Sequence, residues 1–162
     1  MLSILTFSSS LIFTYYLVAI IQTIFHRWFG HKKRIELIYH NHAIGHHSKY
    51  PPKDLISNRW RPSERHVLWY YAIPLGPLLL AVTFFANLHV ILGFVIGVIL
   101  SIGWHIYLHK QYHLQNSIWE RFAWFLKKRE LHFHHHKKVK TNYAIVEFWI
   151  DDFMGTRFEP NS

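Results

Sequence analysis

The sequence predicts an all-α integral membrane protein with about three transmembrane helices and a cytoplasmic helical cap. Three observations predict it. Half of the 162 residues are hydrophobic (51%), yet the mean hydropathy is near neutral at +0.04, so apolar and polar residues are segregated along the chain. All 18 Lys and Arg and all nine acidic residues avoid two windows, 1–26 and 66–109. Finally, the chain carries 15 histidines and no cysteine.

The first window reads as one span over residues 2–25, interrupted only by Ser, Thr and Gln. At 1.5 Å per residue it covers about 36 Å, enough for a hydrocarbon core of roughly 30 Å. With no basic n-region and no small-residue cleavage site before His26, it reads as a retained anchor with its N-terminus outside. The second window is too long for one span. Asn87, Leu88 and His89 divide it into helices over about 67–86 and 90–109, with Pro74 and Pro77 near the start of the first. Gly93 and Gly97, four apart on the second, permit close helix contact. Residues 26–66 and 110–162 form the cap, one domain with the spans.

The net charge of +9 invites a nucleic-acid reading, which the charge distribution rejects. Both basic segments fall on one side of the spans, which the positive-inside rule makes cytoplasmic. A basic loop beside a span faces anionic lipid rather than nucleic acid. The expected location is a multi-pass protein of a bacterial inner membrane, or of the endoplasmic reticulum in a eukaryote.

Fourteen histidines lie on that side or at the inner ends of the spans; only His89 does not. They form four clusters: His26 and His31 (HRWFGH); His42, His46 and His47 (HAIGHH); His105 and His109 (HIYLH), with His113 continuing the stripe; and His132, His135 and His136 (HFHHH). On a helix, residues three or four apart share a face and can bind one metal together. Adjacent histidines diverge by about 100° and can serve two neighbouring metals. One zinc needs three or four ligands, whereas about ten imidazoles are on offer here. The cap is therefore expected to carry a histidine-rich di-metal site. His66 and His89 read as structural, and His40, His113 and His134 as supporting groups or exposed spares. Without cysteine, neither a thiolate zinc site nor an iron–sulfur cluster is available.

The ordered set of motifs resembles the fatty acid hydroxylase and sterol desaturase superfamily of membrane di-iron oxygenases. HRWFGH, then HAIGHH followed by Tyr50, Pro51 and Pro52, then HIYLH are similar to its histidine boxes. HFHHH, Asn142-Tyr143, and Asp151 through Gly155 and Thr156 resemble its closing HxxHH, NYG and WDxxFGT succession. The resemblance implies ten metal ligands: His26, His31, His42, His46, His47, His105, His109, His132, His135 and His136. It makes Asp151 an acceptor fixing a ligand imidazole, with Asn142, His40 and His113 around the ligands. It also implies a turn of the chain under the site at Gly155 and Thr156. Three departures stand out. Three residues separate His42 from His46 where two are usual, so either His42 or His40 can fill that place. Ala144 replaces glycine. Three spans stand where the family commonly has four, so part of the substrate tunnel is either missing or supplied by a partner subunit in an oligomer.

By the same resemblance the cofactor is two iron ions, which zinc can replace in purified protein. The reaction is O2-dependent hydroxylation or desaturation of a lipid such as a fatty acyl chain or sterol, with Trp69, Tyr70, Tyr71 and Trp104 available to line the lipid's path. The chain has no cysteine and no Gly-rich dinucleotide loop, so electrons would come from an external ferredoxin or cytochrome. A carotenoid hydroxylase is the alternative within this chemistry. A membrane metal transporter or metal-binding protein is the alternative of another class, although the middles of the spans contain no His, Asp, Glu or Lys.

Overall fold

A computed structural model describes residues 2–62 and 67–159. His66 and the side chains of Trp69 and Tyr70 lie outside the described residues. Among these, every regular element is helical, with one isolated bridge between Ser57 and Leu114. The chain divides into two compact units, Met1–Gln22 with His66–Trp104 and Thr23–Arg65 with His105–Ser162.

Three apolar helices account for the first unit: α1 (Leu2–Phe25), α4 (Val67–Phe85) and the first part of α5 (Leu88–Tyr112). Two stretches, Ser3–Gly30 and Leu88–Tyr112, are long and apolar enough to cross a membrane. The third expected crossing corresponds to α4, whose apolar described stretch Tyr71–Phe85 is shorter. The break between α4 and α5 comes just before Asn87. Asn87 Oδ1 accepts a hydrogen bond from Val90 N at 3.1 Å, capping α5 and placing His89 within it. Close approach of α1 and α5 needs glycine, as the spacing predicts. A Cβ on Gly93 would lie 2.5 Å from the Phe7 carbonyl oxygen, and one on Gly97 2.7 Å from that of Leu11. Ser10 Oγ donates to the Val90 carbonyl across the same contact. Val18, Tyr71 and Leu75 form the buried core of this unit. An apolar groove of about 340 Å³ runs between α4 and α5, lined by Tyr71, Leu75, Leu79, Phe94, Val98 and Ile102 among others.

The second unit carries the histidines. Here α1 passes into a π-helical turn, His26–Gly30, and α2 (Glu36–Tyr39) leads into a second, His40–His46, which α3 (His47–Lys49) continues. After α5, Ser117 and Glu120 form a capping box that starts a short 3₁₀ turn, Ile118–Arg121. Then come α6 (Ala123–Lys137) and α7 (Trp149–Phe153). On α6 the buried residues Phe125, Leu131, His132, His135 and His136 share one face at three- and four-residue spacing. Leu131 packs with Ala144 and Phe148, and Tyr112 donates from its hydroxyl to the Ile145 carbonyl at 2.9 Å. The 143–148 segment is thereby held against α5 and α6.

Candidate metal centre

Ten imidazoles converge into two groups of five, both inside the second unit. His26, His31, His42, His47 and His135 form group one; His46, His109, His113, His132 and His136 form group two. Within each group one nitrogen per ring lies within 4.8 Å of every other. The adjacent pairs His46/His47 and His135/His136 each send one member to either group, as their 100° divergence on a helix requires. Between the groups, the His47 and His136 rings stack at 4.3 Å.

Backbone geometry explains who meets whom. Group two uses the α-helical spacing: His109 and His113 at the end of α5, His132 and His136 on α6. Group one uses pairs five apart, His26/His31 and His42/His47. An α-helix would turn such residues about 140° away from each other. Both pairs instead start in π-turns, whose i→i+5 pattern brings them to one side. The extra residue between His42 and His46 is absorbed in this way, and His42 is buried with its Nε2 2.7 Å from that of His26. His40 is exposed and belongs to neither group. His105, one turn before His109 on α5, also lies outside both, and His113 completes group two. Gly30 permits the group-one packing, since a Cβ there would sit 3.2 Å from the His26 ring and 3.3 Å from that of His42.

The nitrogens are spaced as ligands are. In group one the Nε2 separations are 2.7 Å (His26–His42), 3.0 Å (His26–His31), 2.8 Å (His31–His135) and 3.3 Å (His42–His47). In group two they are 3.0 Å (His46–His109), 3.2 Å (His46–His136), 2.9 Å (His113–His132) and 3.2 Å (His132–His136). Around a metal with nitrogen bonds of about 2.0–2.1 Å, neighbouring ligands stand about 2.9 Å apart at right angles and about 3.4 Å apart at the tetrahedral angle. The residues therefore fit two bound metal ions.

Protons point outward from these centres. The Nδ1–H of His26 donates to the Tyr143 carbonyl, and that of His135 to the Thr141 carbonyl at 2.7 Å. In group two, His113 donates to Leu55 and His136 to Tyr50, both at 2.8 Å. Each bond fixes the tautomer and leaves Nε2 with its lone pair facing the group. His132 Nε2 has two such acceptors as neighbours, His113 and His136, and a single proton on it can serve only one of them. A cation satisfies all three. Its own Nδ1 is buried without a hydrogen-bond partner.

Burial keeps the rings neutral. It is the largest cause holding His42, His46, His132, His135 and His136 well below the usual histidine range, and neighbouring imidazoles push the same way. The same causes lower His31 and bring His47 to about 2. His113 is brought to about 3, its bond to the Leu55 carbonyl opposing the shift. Neutral imidazole is the form that ligates.

The loops that accept these protons are themselves held. Asn142 sits in the left-handed region (φ 50°), which asparagine tolerates better than most residues. It thereby presents the carbonyls on either side, Thr141 and Tyr143, to two group-one rings. Its side chain donates to the Leu131 and Phe158 carbonyls and accepts from Phe158 N. Asp151 is fully buried. It accepts from Tyr143 N (2.8 Å), Ala144 N (2.9 Å) and Thr156 Oγ1 (2.6 Å). Its link to a ligand thus runs through one peptide: the unit whose N–H it accepts, at Ala144, is the one whose carbonyl takes the His26 proton. Burial pushes the Asp151 pKa up, and its hydrogen bonds draw it back. Gly155 (φ 63°) makes the turn that brings Thr156 onto Asp151. For group two the bridge at Ser57 and Leu114 ties the 50–57 loop to His113, with Ser57 N donating to the His113 carbonyl at 2.9 Å. Tyr50 stacks on the His113 ring at 4.0 Å.

The family model described as fatty acid hydroxylase matches residues 11–156. Neither the curated proteins nor the solved structures gave a match.

Proposed function

The chain belongs to the fatty acid hydroxylase family, and from that premise we propose that it is a membrane-bound di-iron oxygenase acting on a C–H bond of a lipid. Family and histidine groups together fit a lipid hydroxylase or desaturase. One observation supports two metals above all others: ten imidazole nitrogens in two groups of five, spaced as ligands of two neighbouring ions. Group one is assigned His26, His31, His42, His47 and His135; group two His46, His109, His113, His132 and His136. Imidazole alone does not choose among iron, zinc, copper and nickel, and iron follows from the family. Two bound irons would supply the one-electron chemistry that dioxygen needs to attack an unactivated C–H bond.

The protein's own residues perform the supporting work. Desolvation holds the imidazoles neutral at physiological pH, and the carbonyls of Tyr50, Leu55, Thr141 and Tyr143 fix four of their tautomers. The Asp151 carboxylate orders the peptide under His26. In the first unit, the groove lined by Tyr71, Leu75 and Phe94 is entirely suited to an acyl chain. For hydroxylation the balance is RH + O2 + 2 e⁻ + 2 H⁺ → ROH + H2O. With no cysteine in the chain, the two electrons are assigned to an external one-electron carrier. By the positive-inside rule, the basic segments support a cytoplasmic position for the centre.

The test is metal content per chain after gentle detergent purification with iron supplied, followed by a search of lipid extracts for oxygenated products. About two irons per chain and an O2-dependent lipid product are expected. Less than about half an equivalent of any metal would overturn the proposal.

A further inference from the structure

A second cluster of chemistry lies beside group one and takes no part in holding metal. Between the ligands His26 and His31 stands Trp28, and three cations converge on its ring. Lys32 Nζ is 3.9 Å from the ring centre, the Arg34 guanidinium 4.2 Å and the Arg27 guanidinium 5.8 Å. The Arg27 guanidinium is also 5.8 Å from the centre of the Tyr143 ring. Tyr143 in turn packs within 5.8 Å of the His26, His31 and His135 rings. The nearby acid in sequence, Glu36, pairs with Lys33 at 3.1 Å. Among the described residues, no ion pair or hydrogen bond to an acidic group joins Arg27, Lys32 or Arg34. Three like charges around one half-buried indole repel each other, and the ring's face only partly offsets that repulsion. An oxyanion among them would convert it into attraction, and guanidinium groups suit phosphate and carboxylate geometry.

We propose that Arg27, Lys32 and Arg34, gathered on Trp28, form a binding site for the phosphate or carboxylate headgroup of an acidic lipid. This rests on the oxygenase reading, because the lipid is taken to be the substrate and the site to select it by its head. Position supports a lipid as the source. The cluster lies at and just beyond the end of the apolar stretch Ser3–Gly30, where tryptophan and basic side chains meet the headgroup layer. It also adjoins group one through Arg27 and Tyr143.

The experiment measures retained lipid on the metal-loaded full chain by native mass spectrometry. The chain is titrated in detergent with dioleoyl phosphatidic acid, oleate or dioleoyl phosphatidylcholine, with inorganic phosphate as a soluble competitor. Near a membrane surface each cation contributes about a fivefold preference. Phosphatidic acid and oleate should therefore be retained at least about tenfold more tightly than phosphatidylcholine. The triple variant Arg27→Gln, Lys32→Gln, Arg34→Gln should abolish most of that preference. The exposed double variant Lys32→Gln, Arg34→Gln, which is less exposed to misfolding, should lower it about fivefold or more. A control with the same loss of charge elsewhere, Lys137→Gln, Lys138→Gln, Lys140→Gln, should leave it intact. Failure of millimolar phosphate to compete supports the lipid headgroup; full displacement by phosphate keeps the oxyanion site but assigns it to a soluble anion. Equal retention of acidic and zwitterionic lipid overturns the proposal. So does selectivity that survives the double and triple variants, or variants that slow only reduction by an acidic carrier protein. Lipid retention needs no turnover, so the two readings fail separately. Two metals without lipid selectivity sink this inference alone; lipid selectivity without metal sinks the oxygenase alone.

Discussion

Group one takes four of its five imidazoles from pairs five residues apart on π-turns, whereas group two takes four from pairs four apart on or at the end of α-helices. Burial differs in parallel. All five members of group two are buried, but in group one only His42 and His135 are, and His26, His31 and His47 keep some exposure. The outer supports also differ: the 141–143 segment, ordered by Asn142 and Asp151, serves group one, and the 50–57 loop serves group two. The same ligand atoms are thus mounted once in a packed helical core and once in short, irregular turns closer to solvent. Group two is expected to behave as part of the fold and group one as the place where small molecules reach the metals.

The largest effect should come from breaking group two. His136→Ala removes a buried ring whose Nε2 approaches those of His46 and His132 and whose Nδ1 donates to Tyr50. Metal content should fall from about two per chain to well below one, with a fall in melting temperature and no activity. His31→Ala in group one should remove about one metal and leave the melting temperature closer to that of the unaltered protein. Elemental analysis and thermal melts on the same samples read both. Equal damage from both variants would erase the distinction between a structural and an accessible group.

Next comes register. Inserting an alanine after Ala43 lengthens the His42–His47 interval to six, which a single π-turn no longer absorbs. His42 should then rotate by about 100° relative to His46 and His47, and group one should lose its metal while group two keeps its own. An unchanged metal count would mean that the π-turn is not what brings His42 to the site.

That turn marks the limit of what the residues alone disclose. Histidine pairs at i, i+4 and adjacent HH pairs follow from helical angles, so two groups and the splitting of His46/His47 and His135/His136 were legible. The apolar runs located α1, α4 and α5, and Gly93 and Gly97 announced a close helix contact. A π-turn has no residue signature of its own, so how pairs five apart such as His26/His31 and His42/His47 meet was not legible, and the extra residue between His42 and His46 let His40 compete with His42. His105 and His113 stand at equal intervals from His109, and only tertiary packing decides between them. The carbonyl partners Tyr50, Leu55 and Tyr143 are long-range neighbours of the rings they serve, two of them more than 80 residues away in sequence. Side-chain pattern carries no trace of a backbone acceptor. The Asn142 left-handed turn and the Asp151 link through a peptide are hidden for the same reason.

Proton competition should separate the groups more gently. Every resolved shift among the ligands outside the spans is downward, with burial as the largest cause, so the folded protein resists protonation that the unfolded chain accepts near 6.5. Above that pH neither state carries the charge and stability is flat. Below it the unfolded chain gains protons first, and stability falls as pH drops towards the folded values, about 3 for His113 and about 2 for His47. Metal release should follow the same direction, with the more exposed group one emptying first. Melting curves and metal content between pH 8 and pH 5 test it; a melting temperature that does not fall between pH 6.5 and pH 5 would overturn it.

A smaller change probes the support of group one alone. Asp151→Asn keeps the shape but places an amide N–H against donors that both carboxylate oxygens now satisfy, the Tyr143 and Ala144 N–H groups and the Thr156 hydroxyl. One buried donor is left unpaired, at a cost of about 1–3 kcal/mol, and the peptide under His26 loosens. Metal affinity at group one should drop about tenfold to hundredfold with group two unaffected. A competitive chelator titration resolves the two sites.

The smallest expected effect falls on the residue that the histidine spacing favoured and the fold set aside. His105 is one helical turn before His109, their ring centres are 6.2 Å apart, and it belongs to neither group. With ten other imidazoles assigned to the two groups, His105→Ala is expected to leave about two metals per chain and most of the activity. His113→Ala at the equivalent interval on the other side should remove the group-two metal. The pair is informative because both substitutions delete the same atoms, one from within α5 and one just past its end. Loss of an equivalent of metal on replacing His105, with none on replacing His113, would reverse the assignment and require α5 to present group two from one turn further up.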